Sequence, residues 1–268
     1  MPSYLITGTS RGIGLEFVRQ LSADPANTVI GLVRDKQATE QRMKEWKRDN
    51  IFTIQINDMA DYASLKNAVE EASKITGGSL DYAIANAAYV SKLTNYFTFG
   101  DLPELIQKDM VDAFLVNVVG VVHFFNLTVP LLKKGTAKKA IALSTGLADD
   151  NMNVNFELDV SSPYSVSKAA MNMVVAKFAA EYKREGILFM AVAPGLVDTG
   201  AGDMHPNASE LEKKRFNETY AKFMAYKNTP PITAEESVKA MLGVFESSKT
   251  GTDRDGAFIS HLGNKQWI

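Results

Sequence analysis

The sequence contains no cysteine, which excludes disulfides, thiolate metal sites and cysteine nucleophiles. Histidine is scarce, with three copies, and neither His205 nor His261 has a ligand-like neighbour, so no metal site is expected. No run of about 18 uninterrupted apolar residues exists, because Asn117, His123 and Asn126 break the best candidate, residues 113–132; no membrane span is expected. There is no basic block either, and a net charge of -2 argues against a nucleic-acid partner. Residues 1–6 lack the charged and apolar regions of a secretory signal, and with the missing cysteines this makes the cytoplasm the expected compartment.

What is present is a chain of 268 residues, 46% hydrophobic, long enough to bury a substantial core. It begins with a short apolar run, Tyr4-Leu5-Ile6, that meets Thr7-Gly8-Thr9-Ser10-Arg11-Gly12-Ile13-Gly14, after which apolar residues fall at helical spacing. Strand, glycine turn and helix in this order suit a diphosphate: Gly8, Gly12 and Gly14 let the backbone approach it, and the helix N-terminus offers unpaired amides.

A second strand over 28–33 ends at Arg34-Asp35. In dinucleotide folds an acid at this tip receives the adenosine ribose, whereas a basic residue suits a 2'-phosphate. Val33 stands where the acid is expected, so Arg34, with Arg11 from the glycine turn, favours NADP(H) over NAD(H); a one-residue slip makes Asp35 the ribose acid. Asp58, just beyond a strand over 51–56, is a candidate adenine contact.

Further strands are expected over 80–85, 138–145, 187–193 and 257–260, with helices over 61–76, 105–132, from Tyr164 to Gly186 and over 233–248. Alternating strands and helices imply a parallel sheet, because parallel neighbours need crossovers. The fold expected is therefore α/β, a Rossmann-like doubly wound parallel sheet in a single domain over 1–268. The cofactor-binding half covers about 1–135 and the catalytic and substrate-binding half about 136–268, with a lid over about 196–230. Residues 145–162 are rich in Asp and Asn and are read as a loop beside the active site.

Tyr164 and Lys168 lie four apart at the head of a helical pattern, so their side chains share one face. A phenol of reference pKa about 10 is a poor proton shuttle at neutral pH, and a neighbouring ammonium is expected to lower that pKa. The pair alone is weak, since Tyr62 and Lys66 have the same spacing.

Its setting is stronger. Thr-Gly-x-x-x-Gly-Ile-Gly, Asn86-Ala87-Ala88, Asn117, Ser144-Thr145, Tyr164-x-x-x-Lys168 and Pro194-Gly195 together resemble the short-chain dehydrogenase/reductase family in order and spacing, over nearly the whole chain. Within it the chain looks most like NADP-dependent carbonyl reductases and the ketoreductases of secondary-metabolite pathways. The resemblance implies that Tyr164 gives a proton to a substrate carbonyl oxygen while the nicotinamide delivers hydride to its carbon. It further implies that Lys168 binds the nicotinamide ribose, that Asn117 anchors a water, that Ile13, Asn86 and Pro194 line the cofactor, and that Val197 and Thr199 contact its nicotinamide amide. A serine-type hydroxyl would hold the carbonyl oxygen, and either Ser144 or Thr145 can be that residue. The partners expected are a bulky apolar carbonyl compound and further copies of the chain, in a homodimer or homotetramer.

Three features depart from the family pattern: Ala88 replaces the usual glycine, the strand ends in Ser-Thr where two serines are common, and the interval from Ser144 to Tyr164 is long. Two other readings follow from that interval and from the reuse of such scaffolds: an imine reductase or cyclase/isomerase, and a non-catalytic NADP(H) sensor.

Overall fold

A computed structural model describes residues 1–91, 95–101, 103–199, 208–226 and 230–268. The chain opens with β1 (Ser3–Thr7), α1 (Gly12–Leu21), β2 (Thr28–Val33), α2 (Lys36–Met43), β3 (Ile51–Gln55), α3 (Tyr62–Ile75) and β4 (Tyr82–Ala85). There follow α4 (Pro103–Phe114), a π-helical turn over Leu115–Val119, α5 (Gly120–Leu132), β5 (Lys139–Leu143), α6 (Asp150–Asn155), α7 (Ser162–Glu181) and β6 (Leu188–Ala193). The rest comprises β7 (Val197–Asp198), α8 (Glu210–Tyr226), β8 (Ile232–Thr233), α9 (Ala234–Ser247) and β9 (Phe258–Ser260).

Seven of these strands form one parallel sheet in the order β3-β2-β1-β4-β5-β6-β9. Both its faces are buried along β1, β5 and β6, which is why these strands read as largely continuous apolar runs rather than as alternating ones. Leu5, Ile30, Leu32 and Ala83 face a core completed by α3, α5 and α7, with Phe124, Phe125 and Phe189 fully buried. Tyr4, Ile6, Val29 and Ile84 face the opposite core, completed by Phe17 and Val18 of α1 and by Val238, Met241 and Phe245 of α9. The expected doubly wound architecture is what the structure shows.

The order reverses between β1 and β4, and in such sheets ligands bind at the carboxyl ends on either side of that point. Thr7 and Gly8 from β1, and Asn86 from β4, stand there.

Local chemistry explains most element boundaries. Asp61 caps α3 by accepting from the Ser64 N–H at 2.9 Å, and Thr233 with Glu236 forms a capping box on α9. The segment over 145–162, expected as loop, instead carries a 3-10 turn over Gly146–Ala148 and the helix α6. Its polar residues act as caps: Asp149 accepts from the Met152 N–H at 2.8 Å, and Asn153 donates to the Leu147 carbonyl at 2.8 Å. The helical stretch Pro103–Leu132 is long and apolar enough to cross a membrane by composition, and more than half of its most apolar window is buried inside the fold. Of the expected lid, residues 200–207 and 227–229, and with them His205, lie outside the described residues.

Candidate active site

The glycine turn is shaped by steric need. A Cβ on Gly14 would lie 2.2 Å from the Gly8 carbonyl oxygen and 2.5 Å from Asn86 Nδ2, and one on Gly8 would lie 2.8 Å from Ala87 Cα. Gly12 has φ +55, the left-handed region that glycine enters without penalty. Thr7 Oγ1 accepts from the backbone N–H groups of Asn86 and Ala87, both at 3.0 Å, while Asn86 Nδ2 donates to the Thr7 and Gly8 carbonyls at 2.9 and 3.0 Å. Asn86 thus staples β4 to the glycine turn. Its side chain braces the site rather than standing free in it.

This turn fits a dinucleotide phosphate. Helix α1 starts after Arg11 with no side-chain cap, so the N–H groups of its first turn are available to an anion. A Cβ on Gly12 would sit 3.5 Å from Thr199 Cβ, so the turn faces the segment after β6 across a narrow gap. Thr9 Oγ1 is buried without a protein partner.

Beside the turn, Gly8 donates to the Leu32 carbonyl at 2.8 Å, which brings the end of β2 alongside. Val33 is buried at that tip, and Arg34 follows it exposed, as is Arg11. Asp35 caps α2 by accepting from the Ala38 N–H at 2.9 Å through Oδ1. Asp58 likewise accepts from the Ala60 N–H at 2.9 Å. Arg42, which the sequence did not single out, reaches from α2 and donates to the Ser10 carbonyl at 2.5 Å. Only the packing of α2 against the turn brings residues 32 apart together, so no local signal marks it.

On the other side of the reversal point, the end of β5 meets α7. The Thr145 side chain lies against the Tyr164 phenol and acts to lower its pKa, whereas Ser144 is buried and donates to Asn172 Oδ1 at 2.7 Å. Adjacent residues at a strand end point to opposite sides, and the register brings Thr145 to the tyrosine.

Lys168 is 1% exposed and donates from Nζ to the Leu143 carbonyl at 2.6 Å, with the Tyr164 ring centroid 5.9 Å away. Burial pushes this ammonium down to about 7. Tyr164 keeps partial exposure but its phenol is densely surrounded, and burial pushes it up to about 12 against the lowering effect of Thr145. This corrects the expectation of a phenol lowered by its lysine neighbour: desolvation dominates, and the lowering partner is Thr145. By contrast Tyr62, the same spacing from Lys66, is 48% exposed, and Lys66 pairs with Glu70.

Asn117 sits within the π-helical turn, wholly buried. Its Oδ1 accepts from the Tyr89 N–H at 2.7 Å, and its Nδ2 donates to the Tyr89 carbonyl and to Ser167 Oγ, each at 2.9 Å. Ser167 in turn donates to the Tyr164 carbonyl at 2.7 Å. Asn117 therefore holds the first turn of α7 to the strand-end segment after β4. His123 packs edge-on against the Tyr62 ring, and His261 is buried beside Gly195. Pro194 accepts from Ser237 Oγ at 2.7 Å, and Val197 pairs with Ile232 in the small β7-β8 ladder, which fixes the approach of Thr199 to the glycine turn.

The family model for short chain dehydrogenases matches residues 3–210. The chain belongs to the short-chain dehydrogenase family. Relatives include the short chain dehydrogenase virK of Hypocrea virens, 46% identical with all of both chains covered, and the short-chain dehydrogenase/reductase AacuF of Aspergillus aculeatus, 43% identical with the same coverage. Among solved structures, the NADPH-bound carbonyl reductase from chicken fatty liver is 25% identical and superposes with a TM-score of 0.75 over 98% of each chain. The carbonyl reductase Sniffer of D. melanogaster, at 20% identity and a TM-score of 0.78, shares the fold.

Proposed function

We propose that this short-chain dehydrogenase uses NADP(H) to reduce the carbonyl of a bulky apolar small molecule to an alcohol. The observation that carries the proposal is the gathering of Thr145 and Tyr164 beside a buried Lys168, on the carboxyl edge of the sheet and across from an uncapped glycine turn. The NADPH-bound carbonyl reductase of the same fold supports the cofactor, as do exposed Arg11 and Arg34, which suit a 2'-phosphate through charge-assisted bonds.

The glycine turn and the first turn of α1 would hold the diphosphate, with Asp58 near the adenine and Ile13, Pro194, Val197 and Thr199 along the nicotinamide side. The cofactor supplies hydride when bound. Tyr164, protonated at neutral pH, donates from its hydroxyl to the substrate oxygen, and Thr145 holds that oxygen and the phenol in one geometry. Lys168, near half protonation at pH 7, returns a proton toward the phenol and meets the cofactor ribose. Asn117 keeps α7 in place for these steps, and the water expected of it would lie along the same return path. In this reading residues 1–135 bind the cofactor, and residues 136–268 supply the chemistry and, through 196–230, the cover.

The same reading includes assembly. Helices α4 and α7 pack side by side and expose Val111, Phe114, Val166 and Met173, an apolar surface suited to a second copy in a dimer or tetramer.

The test is NADPH oxidation over a panel of aldehydes, aromatic ketones, diketones and cyclic imines, with Tyr164→Phe as control. Turnover of ketones or aldehydes that the substitution abolishes is the expected result. Turnover confined to imines, or unaffected by Tyr164→Phe, moves the assignment to an imine reductase or cyclase, and tight NADPH binding without any turnover moves it to a sensor.

A further inference from the structure

We infer that Trp267 is a positioning residue for Thr145, acting through Gly146. Thr145 caps the 3-10 turn that begins at Gly146, and its Oγ1 accepts from the Leu147 N–H at 3.3 Å. That turn is held from outside. A Cβ on Gly146 would lie 2.6 Å from Trp267 Cβ on one side and 2.9 Å from Met152 Sδ on the other, so only glycine lets the indole and the inserted helix α6 close on it.

Trp267 is itself fixed. It is 4% exposed, stacks on Phe258 with ring centroids 4.2 Å apart and planes within 13°, and donates from its backbone N–H to Tyr226 Oη at 3.2 Å. Tyr226 belongs to α8 and packs edge-on against Phe156 at 4.8 Å, at the far end of α6. Lys222 ties the same two elements by donating to the Glu157 carbonyl and pairing with Asp159 at 3.3 Å. Trp267, Met152 and Leu158 thus form a third small core, over the carboxyl ends of the strands, with Phe156 and Tyr226 packed on it. This cluster is built from the long interval before Tyr164, the helix of the cover and the segment after β9. Its contact with the catalytic set runs through Gly146, one residue from Thr145, whose side chain acts on the Tyr164 phenol. Packed interiors transmit small displacements, so loosening the indole moves Thr145 off the phenol.

The kinetic part of the test rests on the proposed reduction. Trp267→Ala is expected to lower kcat roughly 10- to 100-fold. NADPH affinity stays unchanged, and no further loss appears when Thr145 is already alanine; Trp267→Phe restores most of the rate. Such non-additivity is the signature of two residues acting through one group. A second readout needs no turnover: the carbon resonance of the Tyr164 hydroxyl-bearing ring atom, assigned with Tyr164→Phe, moves in Trp267→Ala toward its position in Thr145→Val. Should Trp267→Ala fail to fold, Tyr226→Phe, which removes the acceptor of the Trp267 N–H, takes its place in both arms. Additive losses of rate, or a Tyr164 resonance that stays put, overturn the inference. If the wild-type protein reduces no carbonyl, the reduction proposal falls while the resonance alone still decides this one.

Discussion

Ser144 and Thr145 are neighbours whose hydroxyls serve different partners: Thr145 Oγ1 accepts from the Leu147 N–H and lies against the Tyr164 phenol, whereas Ser144 donates to Asn172 Oδ1 at 2.7 Å. The two substitutions should therefore separate chemistry from stability. Thr145→Ala is expected to lower kcat by roughly 10²- to 10³-fold, the range for losing one donor to a developing oxyanion. Ser144→Ala leaves the Asn172 carbonyl without its donor and should cost about 1–3 kcal/mol of stability with little change in kcat. Steady-state kinetics and urea unfolding of both variants check this.

Lys168 gives stability a pH signature. Its folded pKa, about 7, lies below the unfolded value of about 10.4, so between these limits the unfolded chain binds more protons. Unfolding free energy from this group therefore rises with pH across that window, by up to about 1.4 kcal/mol per pH unit, and is flat below it. Tyr164 acts oppositely at higher pH, because its folded pKa is raised and stability is lost as the unfolded phenol ionises above about 10. Denaturation midpoints of the wild type and Lys168→Met from pH 6 upward should diverge in the wild type's favour; parallel curves would contradict the assignment.

Cofactor choice should depend on Arg11 and Arg34. Each charge-assisted bond to a 2'-phosphate is worth about 1.5–3 kcal/mol. Arg34→Ala and Arg11→Ala are accordingly expected to raise the KM for NADPH about tenfold or more while leaving that for NADH unchanged. Equal changes for both cofactors would place the arginines elsewhere. Arg42→Ala, by releasing the Ser10 carbonyl, should weaken both cofactors alike.

The exposed apolar surface on α4 and α7 predicts association. Phe114 and Met173 are 46% and 60% exposed. Light scattering should give a dimer or tetramer mass for the wild type and a smaller mass for the pair Phe114→Glu with Met173→Glu, which buries two charges in any interface there. A monomeric wild type would refute the assembly.

Several features were legible in the residues because local chemistry sets them. Period and turn residues marked β1, the glycine turn and α1; alternation of strands with helices implied the parallel sheet; and Asp61 and Thr233 announced helix starts. The i,i+4 spacing put Tyr164 and Lys168 on one helical face wherever that helix lay. What the chain order could not carry was decided by packing between distant segments. The register of β5 against α7 selected Thr145 over Ser144 as the partner of Tyr164. Burial, which depends on everything packed around a group, moved the phenol up and the ammonium down. The Asp- and Asn-rich interval before Tyr164 read as loop because its acids were counted as solvated, whereas tertiary contacts with Tyr226 and Trp267 gave α6 a surface to fold on. Spacing and turn chemistry are properties of neighbours in sequence; register, desolvation and the closing of Trp267 on Gly146 are properties of neighbours in space.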